Sequence, residues 1–256
     1  MDQIATFHDL RGASVFITGG GGGIGAALTE GFVAQGAKVA FVGRSDYTAF
    51  ADTLGEAYEN RPLFIRCDIT DTAALQSAIA QAADRNGPLS VLVNNAANDM
   101  RYPAEEVTEA IWDDMMAVNL KAYFFAAQAV APMMRAKGGG SIINYSSTSY
   151  MMGIAKLSTY IAANAGIMGL TRSLAREWGP DRIRVNALAP GWVLTENQMQ
   201  KWATDEGLAA HRDRQCLKEF MEPQDMIGGT LFLASAASRM LTGQVIAIDA
   251  GVVVTG

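Results

Sequence analysis

A run of glycines near the N-terminus is the stretch whose residue types and spacing indicate chemistry most directly. Five consecutive glycines, residues 19–23, follow a short apolar run at residues 15–17, and Gly25 comes two positions later. Apolar residues recur at helical spacing after Gly25, so the stretch is predicted to form a strand, a glycine turn and a helix. Glycine lets the backbone approach a phosphate closely, and the free N–H groups at a helix start attract an anion. The stretch therefore predicts a phosphate or pyrophosphate site. The alternative, a flexible glycine linker, is disfavoured by the apolar elements on both sides.

Six further apolar segments alternate with predicted helices and must position this turn. The predicted strands cover residues 38–42, 63–66, 91–93, 141–145, 183–188 and 244–248. The predicted helices cover residues 47–58, 72–83 after an N-cap at Asp71, 108–134 with a break inside, and 160–178, with helical material over 196–234. The strands are apolar throughout rather than alternating. We therefore expect an α/β fold, a seven-stranded parallel sheet with helices on both faces.

Polar side chains stand at the carboxyl ends of these predicted strands. They are Thr18, Arg44, Asp68, Asn94, Asn95, Ser146 and Ser147. In an open parallel sheet, ligands bind beyond the carboxyl ends of the strands. The sequence therefore predicts one site that combines the glycine turn with these polar residues.

Composition and charge exclude several classes of protein. The chain of 256 residues is 50% hydrophobic and 18% charged, as in a globular protein, and its net charge of −6 disfavours nucleic-acid binding. It has no run of about 18 apolar residues, and residues 1–4 lack the features of a signal peptide. Two isolated cysteines, Cys67 and Cys216, and two histidines, His8 and His211, predict neither a metal centre nor a disulfide framework. We expect a cytoplasmic protein without a metal, a nucleic-acid partner or membrane association.

Motifs in a fixed order run along most of the chain. They are Thr18-Gly19, then after three residues Gly23-Ile24-Gly25; Asn94-Asn95-Ala96-Ala97; Asn119; Ser147; Tyr160; and Pro190-Gly191. With Ser147 thirteen residues before Tyr160, this order resembles the short-chain dehydrogenase/reductase family over residues 10–251. The resemblance implies a single-domain Rossmann fold over residues 1–256 that binds NAD or NADP. It also implies a homotetramer formed through the helices at 108–134 and 160–178.

The resemblance implies a role for each predicted active-site residue. In that family the tyrosine, here Tyr160, is the general base for alcohol oxidation or the acid for carbonyl reduction. The serine, here Ser147, hydrogen-bonds the reacting oxygen, and Asn119 helps to hold a water relay. Hydride moves to or from the nicotinamide, so the protein positions the reactants and manages the proton.

Asn164 departs from the family pattern, which has lysine four residues after the tyrosine. That lysine binds the nicotinamide ribose, and its charge lowers the pKa of the tyrosine. Asparagine can still hydrogen-bond the ribose, but an unassisted tyrosine has a pKa of about 10 and is about one part in a thousand ionised at pH 7. Lys156 is expected in the preceding loop and not as a substitute. We expect weak activity at neutral pH and an alkaline optimum; the alternative is a protein that binds cofactor with little turnover.

The resemblance assigns cofactor binding to residues at several predicted strand ends. They are Gly19, Gly22, Gly23, Ile24, Gly25, Arg44, Ser45, Asp68, Ile69, Asn95, Ala96, Tyr160, Asn164, Pro190, Gly191, Val193 and Thr195. The second predicted strand ends without a carboxylate to bond the ribose 2′-hydroxyl of NAD, and Arg44 could pair with the 2′-phosphate of NADP. Asp46 could instead take the ribose hydroxyls. We favour NADP over NAD and expect Asp68 to bind the adenine amino group.

Three stretches resemble the bacterial sugar 1-dehydrogenases of this family, which oxidise aldoses such as xylose, arabinose or galactose to lactones. The stretches are Asn94-Asn95-Ala96-Ala97-Asn98-Asp99-Met100-Arg101, Gln200-Lys201-Trp202 and Gln215-Cys216-Leu217-Lys218. A sugar pocket needs hydrogen-bonding groups and an aromatic wall, which Asn98, Ser149, Trp192 and Gln198 could supply. Residues 195–220 would form a mobile lid over a monosaccharide substrate. The alternatives are a ketoreductase for another alcohol or carbonyl substrate and the cofactor-binding protein named above.

Overall fold

The sheet that organises the chain has seven parallel strands, as the sequence predicts. In a computed structural model that describes residues 5–58 and 60–254, they are β1 Ser14–Thr18, β2 Lys38–Gly43, β3 Leu63–Arg66, β4 Val91–Asn94, β5 Gly140–Tyr145, β6 Ile183–Pro190 and β7 Val245–Ile248. Their order is β3-β2-β1-β4-β5-β6-β7, and every neighbouring pair is parallel. Residues 1–4, on which the expectation about a signal peptide rests, lie outside the described residues.

Ten α-helices connect and cover the strands in the described part of the chain. They are α1 Gly23–Ala34, α2 Thr48–Tyr58, α3 Thr72–Asn86, α4 Glu109–Met116, α5 Ala122–Lys137, α6 Ser149–Met152, α7 Ser158–Trp178, α8 Glu196–Lys201, α9 Asp205–Arg214 and α10 Asp225–Ala234. Asp71 caps α3 as predicted, because its carboxylate accepts the N–H groups of Ala73 and Ala74. None of these helices combines the length and apolarity that crossing a lipid bilayer requires.

Helices cover both faces of the sheet, which explains why its strands are apolar throughout. Successive residues of a strand point to opposite faces, so Val15 and Ile17 of β1 pack on one side and Phe16 on the other. On the first side they meet α1 and α10, through residues such as Phe32 and Ile227. On the second side α3, α5 and α7 close the core. The site must therefore lie at an edge of this layered structure rather than on a face of the sheet.

The strand order reverses at β1, which lies between β2 and β4. The chain thus leaves the centre of the sheet in two directions and opens a crevice beyond the carboxyl ends of β1 and β4, where open α/β sheets bind ligands. Thr18, the last residue of β1, is in register with Asn94, the last residue of β4. The glycine turn and the Asn94-Asn95 motif therefore meet at this crevice.

Two long predicted helical segments are divided in the structure. The break expected inside residues 108–134 is one π-helical turn, Ala117–Lys121, between α4 and α5. The material at residues 196–234 forms three helices, because the hydroxyls of Thr195 and Thr204 accept backbone N–H groups and start α8 and α9. The sequence does not predict the four-residue helix α6, since so short a segment carries no periodic signal.

Candidate active site

The glycine turn is packed so closely that side chains are excluded at two of its positions. Gly19 has φ +67°, and a Cβ there would lie 2.9 Å from the Cα of Ala96. A Cβ on Gly25 would lie 1.9 Å from the carbonyl oxygen of Gly19. Only glycine fits at both positions, and the first turn of α1 is thereby drawn against the ends of β1 and β4.

Hydrogen bonds from the ends of β1 and β4 fix this turn. The hydroxyl of Thr18 accepts the backbone N–H groups of Asn95 and Ala96, at 3.0 and 3.1 Å. The amide Nδ2 of Asn95 donates in return to the carbonyl oxygens of Thr18 and Gly19, at 3.1 and 3.2 Å. The protein itself therefore satisfies the polar groups that shape the turn, and the N–H groups at the start of α1 remain directed outward.

A cavity of about 920 Å³ opens beside this turn, and we call it the glycine-turn cavity. Fifteen of the predicted site residues line it, including most of those assigned to the cofactor. They are Gly19, Gly22, Gly23, Ile24, Gly25, Arg44, Ser45, Asp68, Ile69, Asn95, Ala96, Asn98, Tyr160, Thr195 and Gln198. Its volume lies at the upper end of the range for cofactor sites.

A second cavity of about 560 Å³ lies against the ends of β5 and β6, and we call it the Ser147 cavity. The predicted residues that line it are Ile24, Asn95, Ser147, Ser149, Tyr160, Pro190, Gly191, Trp192, Val193, Thr195 and Gln198. Five of them line both cavities and so stand where the two meet: Ile24, Asn95, Tyr160, Thr195 and Gln198. A molecule in one cavity can therefore touch a molecule in the other.

Tyr160 stands on the first turn of α7 at this junction. Burial, together with the negative charge of Asp99, raises the pKa of Tyr160 to about 12. The side chains of Asn164 and Ser147 act on this pKa in the opposite direction and are outweighed. Ser147 and Tyr160 line the same cavity, and their predicted pairing stays a prediction. At a pKa of about 12 only about one phenol in 100,000 is ionised at pH 7.

The loop after β4 is joined to the segment 195–220 by polar contacts that the sequence does not predict. Gln198 Nε2 donates to Asp99 Oδ2, and Trp192 Nε1 donates to Gln198 Oε1 at 2.9 Å. The guanidinium of Arg101 lies over the ring of Trp202, 4.5 Å from its centroid. These contacts close the Ser147 cavity on the side of α8.

Three polar atoms in the Ser147 cavity are buried without a hydrogen-bond partner among the described residues. They are Ser149 Oγ, Trp202 Nε1 and His211 Nε2. Burial and the positive charge of Arg214 lower the pKa of His211, so its ring is neutral at pH 7. An unsatisfied buried polar group costs about 1–3 kcal/mol, so these three atoms are a local cost to stability in the wall of the cavity.

Comparisons with known proteins agree with this geometry. A family described as Enoyl-(Acyl carrier protein) reductase matches residues 19–253. The protein named probable galactose dehydrogenase in Rhizobium meliloti is 46% identical over 248 residues, which cover 96% of this chain and 97% of that protein. The D-xylose 1-dehydrogenase of Caulobacter vibrioides is 44% identical over 250 residues, which cover 96% of this chain and 98% of that protein. The chain belongs to the short-chain dehydrogenase/reductase family.

Two solved structures of family members support the fold assignment. A variant of a short-chain dehydrogenase/reductase from Serratia marcescens is 32% identical with a TM-score of 0.87, covering 96% of this chain and 99% of that one. A blue fluorescent protein from a metagenomic library, in complex with NADPH, is 34% identical with a TM-score of 0.87 and the same coverage. The seven-stranded Rossmann architecture predicted from the sequence is confirmed.

Asn164, which replaces the family lysine, lies in a different place from the one expected. It is 2% exposed and lines neither cavity, and its Nδ2 donates to the carbonyl oxygen of Tyr160 at 2.8 Å. Asparagine is too short to extend from α7 towards a ribose while its amide is held by the preceding turn. Lys156 lies in the turn before α7 and lines neither cavity. No lysine of the described chain is among the groups that shift the pKa of Tyr160.

Asn119 and Asn98 form hydrogen bonds with the backbone of the loop that follows β4. Asn119 is buried in the π-helical turn; its Oδ1 accepts the N–H of Asn98 at 2.8 Å, and its Nδ2 donates to the Asn98 carbonyl at 3.0 Å. Asn98 lines the glycine-turn cavity and not the Ser147 cavity, and its Oδ1 accepts the N–H of Met100. The Nδ2 group of Asn98 donates to no described residue, so the expected sugar contact of Asn98 stays a prediction.

Arg44 and Asp46, the two alternative residues for binding the adenosine ribose or its 2′-phosphate, differ in their position relative to the glycine-turn cavity. Arg44 and Ser45 line the cavity, whereas the carboxylate of Asp46 accepts the N–H and hydroxyl of Thr48 at the start of α2. Those hydrogen bonds lower the pKa of Asp46. Asp68 also lines the cavity; hydrogen bonds from Thr70 and the charge of Arg44 lower its pKa against the effect of burial. A positive group therefore stands at the rim, without Asp46 beside the cavity.

Proposed function

We propose that the protein oxidises the C1 hydroxyl of an aldose to a lactone, with NADP preferred over NAD as hydride acceptor. The observation that carries the proposal is the junction of the two cavities, where Tyr160 stands between a dinucleotide-sized site and the polar pocket that Ser147 lines. The names of the relatives from Rhizobium meliloti and Caulobacter vibrioides, a galactose and a D-xylose dehydrogenase, favour an aldose.

The glycine-turn cavity fits a nicotinamide dinucleotide. Side chains are excluded at Gly19 and Gly25, which leaves backbone N–H groups at the start of α1 for a pyrophosphate. Arg44 and Ser45 would hold a 2′-phosphate, and Asp68 the adenine amino group. When bound, the nicotinamide supplies the acceptor for the hydride that leaves C1.

The chain's own contribution to the reaction is proton transfer and orientation. Tyr160 Oη takes the proton of the C1 hydroxyl, and Ser147 Oγ donates a hydrogen bond to the same oxygen. The side chains of Ser149, Trp202 and neutral His211 line the same cavity, and the proposal assigns them to other hydroxyls of the sugar. Their polar atoms are buried without a partner, so this pairing requires the side chains to rotate towards the cavity.

The rate at neutral pH is limited by the protonation state of the phenol. Neither Asn164 nor Lys156 places a positive charge beside Tyr160, so its pKa stays near 12 until the cationic ring of an oxidised cofactor lowers it. Turnover is therefore weak at pH 7 and increases in alkaline solution. The same observation favours a second function, a cofactor-binding protein with little turnover.

We further propose that residues 195–220 act as a lid over the Ser147 cavity, and that four copies associate through α4, α5 and α7. The lid is supported by Gln198 on α8, Trp202 directly after α8 and His211 on α9, which line that cavity. Exposed Trp112 on α4 and Phe124 on α5 support an interface there.

The test is reduction of NAD and NADP with a panel of aldoses, polyols and secondary alcohols at pH 7 and pH 10, run beside Asn164→Lys. Aldose-dependent reduction of NADP, faster at pH 10 and faster in the lysine variant, is expected. Turnover of a polyol or secondary alcohol but no aldose would replace the proposal with a ketoreductase. If neither protein turns over any substrate, the binding function stands instead.

A further inference from the structure

Asp99 occupies a distinctive place between the two cavities. Among the described residues that line both, it carries the one carboxylate. It stands in the loop after β4, whose backbone is fixed by the paired hydrogen bonds between Asn98 and Asn119. The carboxylate is therefore held by the body of the fold at the point where a substrate must meet the cofactor.

Only half of this carboxylate is engaged by the protein. Gln198 Nε2 donates to Oδ2, and Gln198 is itself oriented by Trp192 Nε1. Oδ1 receives no hydrogen bond from residues 5–58 or 60–254. A carboxylate oxygen only accepts, and it prefers donors such as hydroxyl groups.

We propose that Asp99 is the residue that selects an aldose, an inference that rests on the proposed function. Its Oδ1 accepts a hydrogen bond from the C2 hydroxyl of the sugar. C2 is next to the carbon that is oxidised, and Asp99 shares the junction with the tyrosine that takes the proton of C1. Ser149, Trp202 and His211 line the Ser147 cavity alone and so are placed for more distant hydroxyls.

The charge of Asp99 also acts on Tyr160, and this gives the inference a second readout. Because a nearby negative charge disfavours the tyrosinate, Asp99 raises the pKa of Tyr160, and Asp99→Asn would lower it. The titratable groups that line the two cavities with Tyr160 are Asp99, Arg101, Tyr123, Tyr145, His211, Arg214, Arg44, Tyr47, Cys67, Asp68, Asp114 and Lys201. Of these, the charge of Asp99 is the one that raises the pKa of Tyr160.

The experiment measures sugar binding, by calorimetry, to the protein saturated with NADPH, so that turnover is not required. The probes are D-galactose with 2-deoxy-D-galactose and D-xylose with 2-deoxy-D-xylose. The parent protein is expected to bind a sugar about tenfold or more tightly than its 2-deoxy analogue, since a hydrogen bond to a charged group contributes that much. In Asp99→Asn the two affinities converge, while affinity for NADPH is unchanged.

The matched control is Asp113→Asn, which removes the same charge from an exposed position on α4 and should leave the discrimination intact. Asp99→Ala serves the same comparison if the asparagine variant does not fold. A shift of the alkaline rise in rate to lower pH in Asp99→Asn, together with a higher KM for the sugar, would separate this role from a structural one.

Three outcomes decide the inference. Loss of the discrimination in Asp99→Asn supports it. Sugar binding whose preference for the 2-hydroxyl survives in Asp99→Asn overturns it and leaves the aldose dehydrogenase proposal standing. If neither sugar binds nor turns over, the proposed function fails and the inference fails with it.

Discussion

The glycine-turn cavity and the Ser147 cavity share residues at their junction but are built in opposite ways. Around the glycine turn, Thr18 and Asn95 satisfy each other's backbone and fix a cradle that is complete without a ligand. In the Ser147 cavity, Ser149, Trp202 and His211 each leave a buried polar atom without a partner among the described residues. The first region is fixed by its own hydrogen bonds, whereas the second leaves polar atoms unpaired.

The origin of the residues differs in the same way. Thr18, Asn95 and the glycines belong to adjacent central strands, so local motifs determine their meeting. The Ser147 cavity combines the loop after β4 with the ends of β5 and β6 and with α8 and α9. Variation in the second region can therefore change the substrate while the first continues to hold the same cofactor.

The largest expected effect tests whether chemistry resides at the junction of the two regions. Tyr160→Phe removes the proton acceptor and should reduce kcat by about 10²–10⁴-fold, as for other general bases. NADPH affinity, measured by fluorescence titration, should change little, because the substitution keeps the aromatic ring that lines the glycine-turn cavity and leaves the glycine turn unchanged. A variant that keeps more than a tenth of the parent kcat would exclude Tyr160 as the base.

The next prediction concerns the positive charge of the family lysine, which Asn164 does not supply. Asn164→Lys should raise kcat at pH 7 by about 10- to 1,000-fold, since a positive charge within about 4–6 Å lowers a pKa by 1–3 units. Asn164→Met introduces a side chain similar in length to lysine but uncharged. It therefore isolates the effect of the charge and should give no gain in kcat. Equal rates in the lysine and methionine variants would show that charge beside the phenol is not limiting.

A third substitution tests the scaffold region alone. Gly25→Ala forces a methyl group against the carbonyl of Gly19 and should lower the free energy of unfolding by about 1–3 kcal/mol and weaken NADPH binding. Gly228→Ala on α10, where a Cβ meets nothing within 4 Å, should instead stabilise the protein by about 0.5–1 kcal/mol. Urea denaturation of both variants decides the point; unchanged stability in Gly25→Ala would contradict the close packing.

The smallest expected effect concerns cofactor choice. Arg44→Gln should raise KM for NADP by about tenfold, because the exposed guanidinium contributes one charge-assisted contact, and leave KM for NAD nearly unchanged. Arg85→Gln, exposed in the last turn of α3, is the matched control. Equal changes in KM for NADP and for NAD would show that Arg44 does not bind the 2′-phosphate.

The sequence predicts the scaffold region well because its signals are local. Apolar strands, the glycine turn and Asp71 as a helix cap are each read from neighbouring residues, and the structure has them at those positions. The bond between Gln198 and Asp99 joins residues 99 positions apart, and no local pattern encodes it. Asp99 lies inside a stretch that the sugar-dehydrogenase resemblance includes, which was the one available signal.

The side chains of Asn164, Asn119 and Asn98 show why residue types alone do not define the site. Each has an amide that could bind a ligand, and each forms a hydrogen bond with a backbone group, which for Asn119 belongs to the loop after β4. Which partner an amide takes depends on side-chain length and on the loop conformation around it, and both are set by the tertiary fold.

The most direct test of the account is the pH dependence of aldose-driven NADP reduction by the unmodified protein between pH 7 and pH 10. A phenol with a pKa near 12, lowered only in part by the cofactor, predicts a rate that keeps rising across this range. A rate that is flat, or that reaches its maximum near neutral pH, would show that Tyr160 is not the unassisted base.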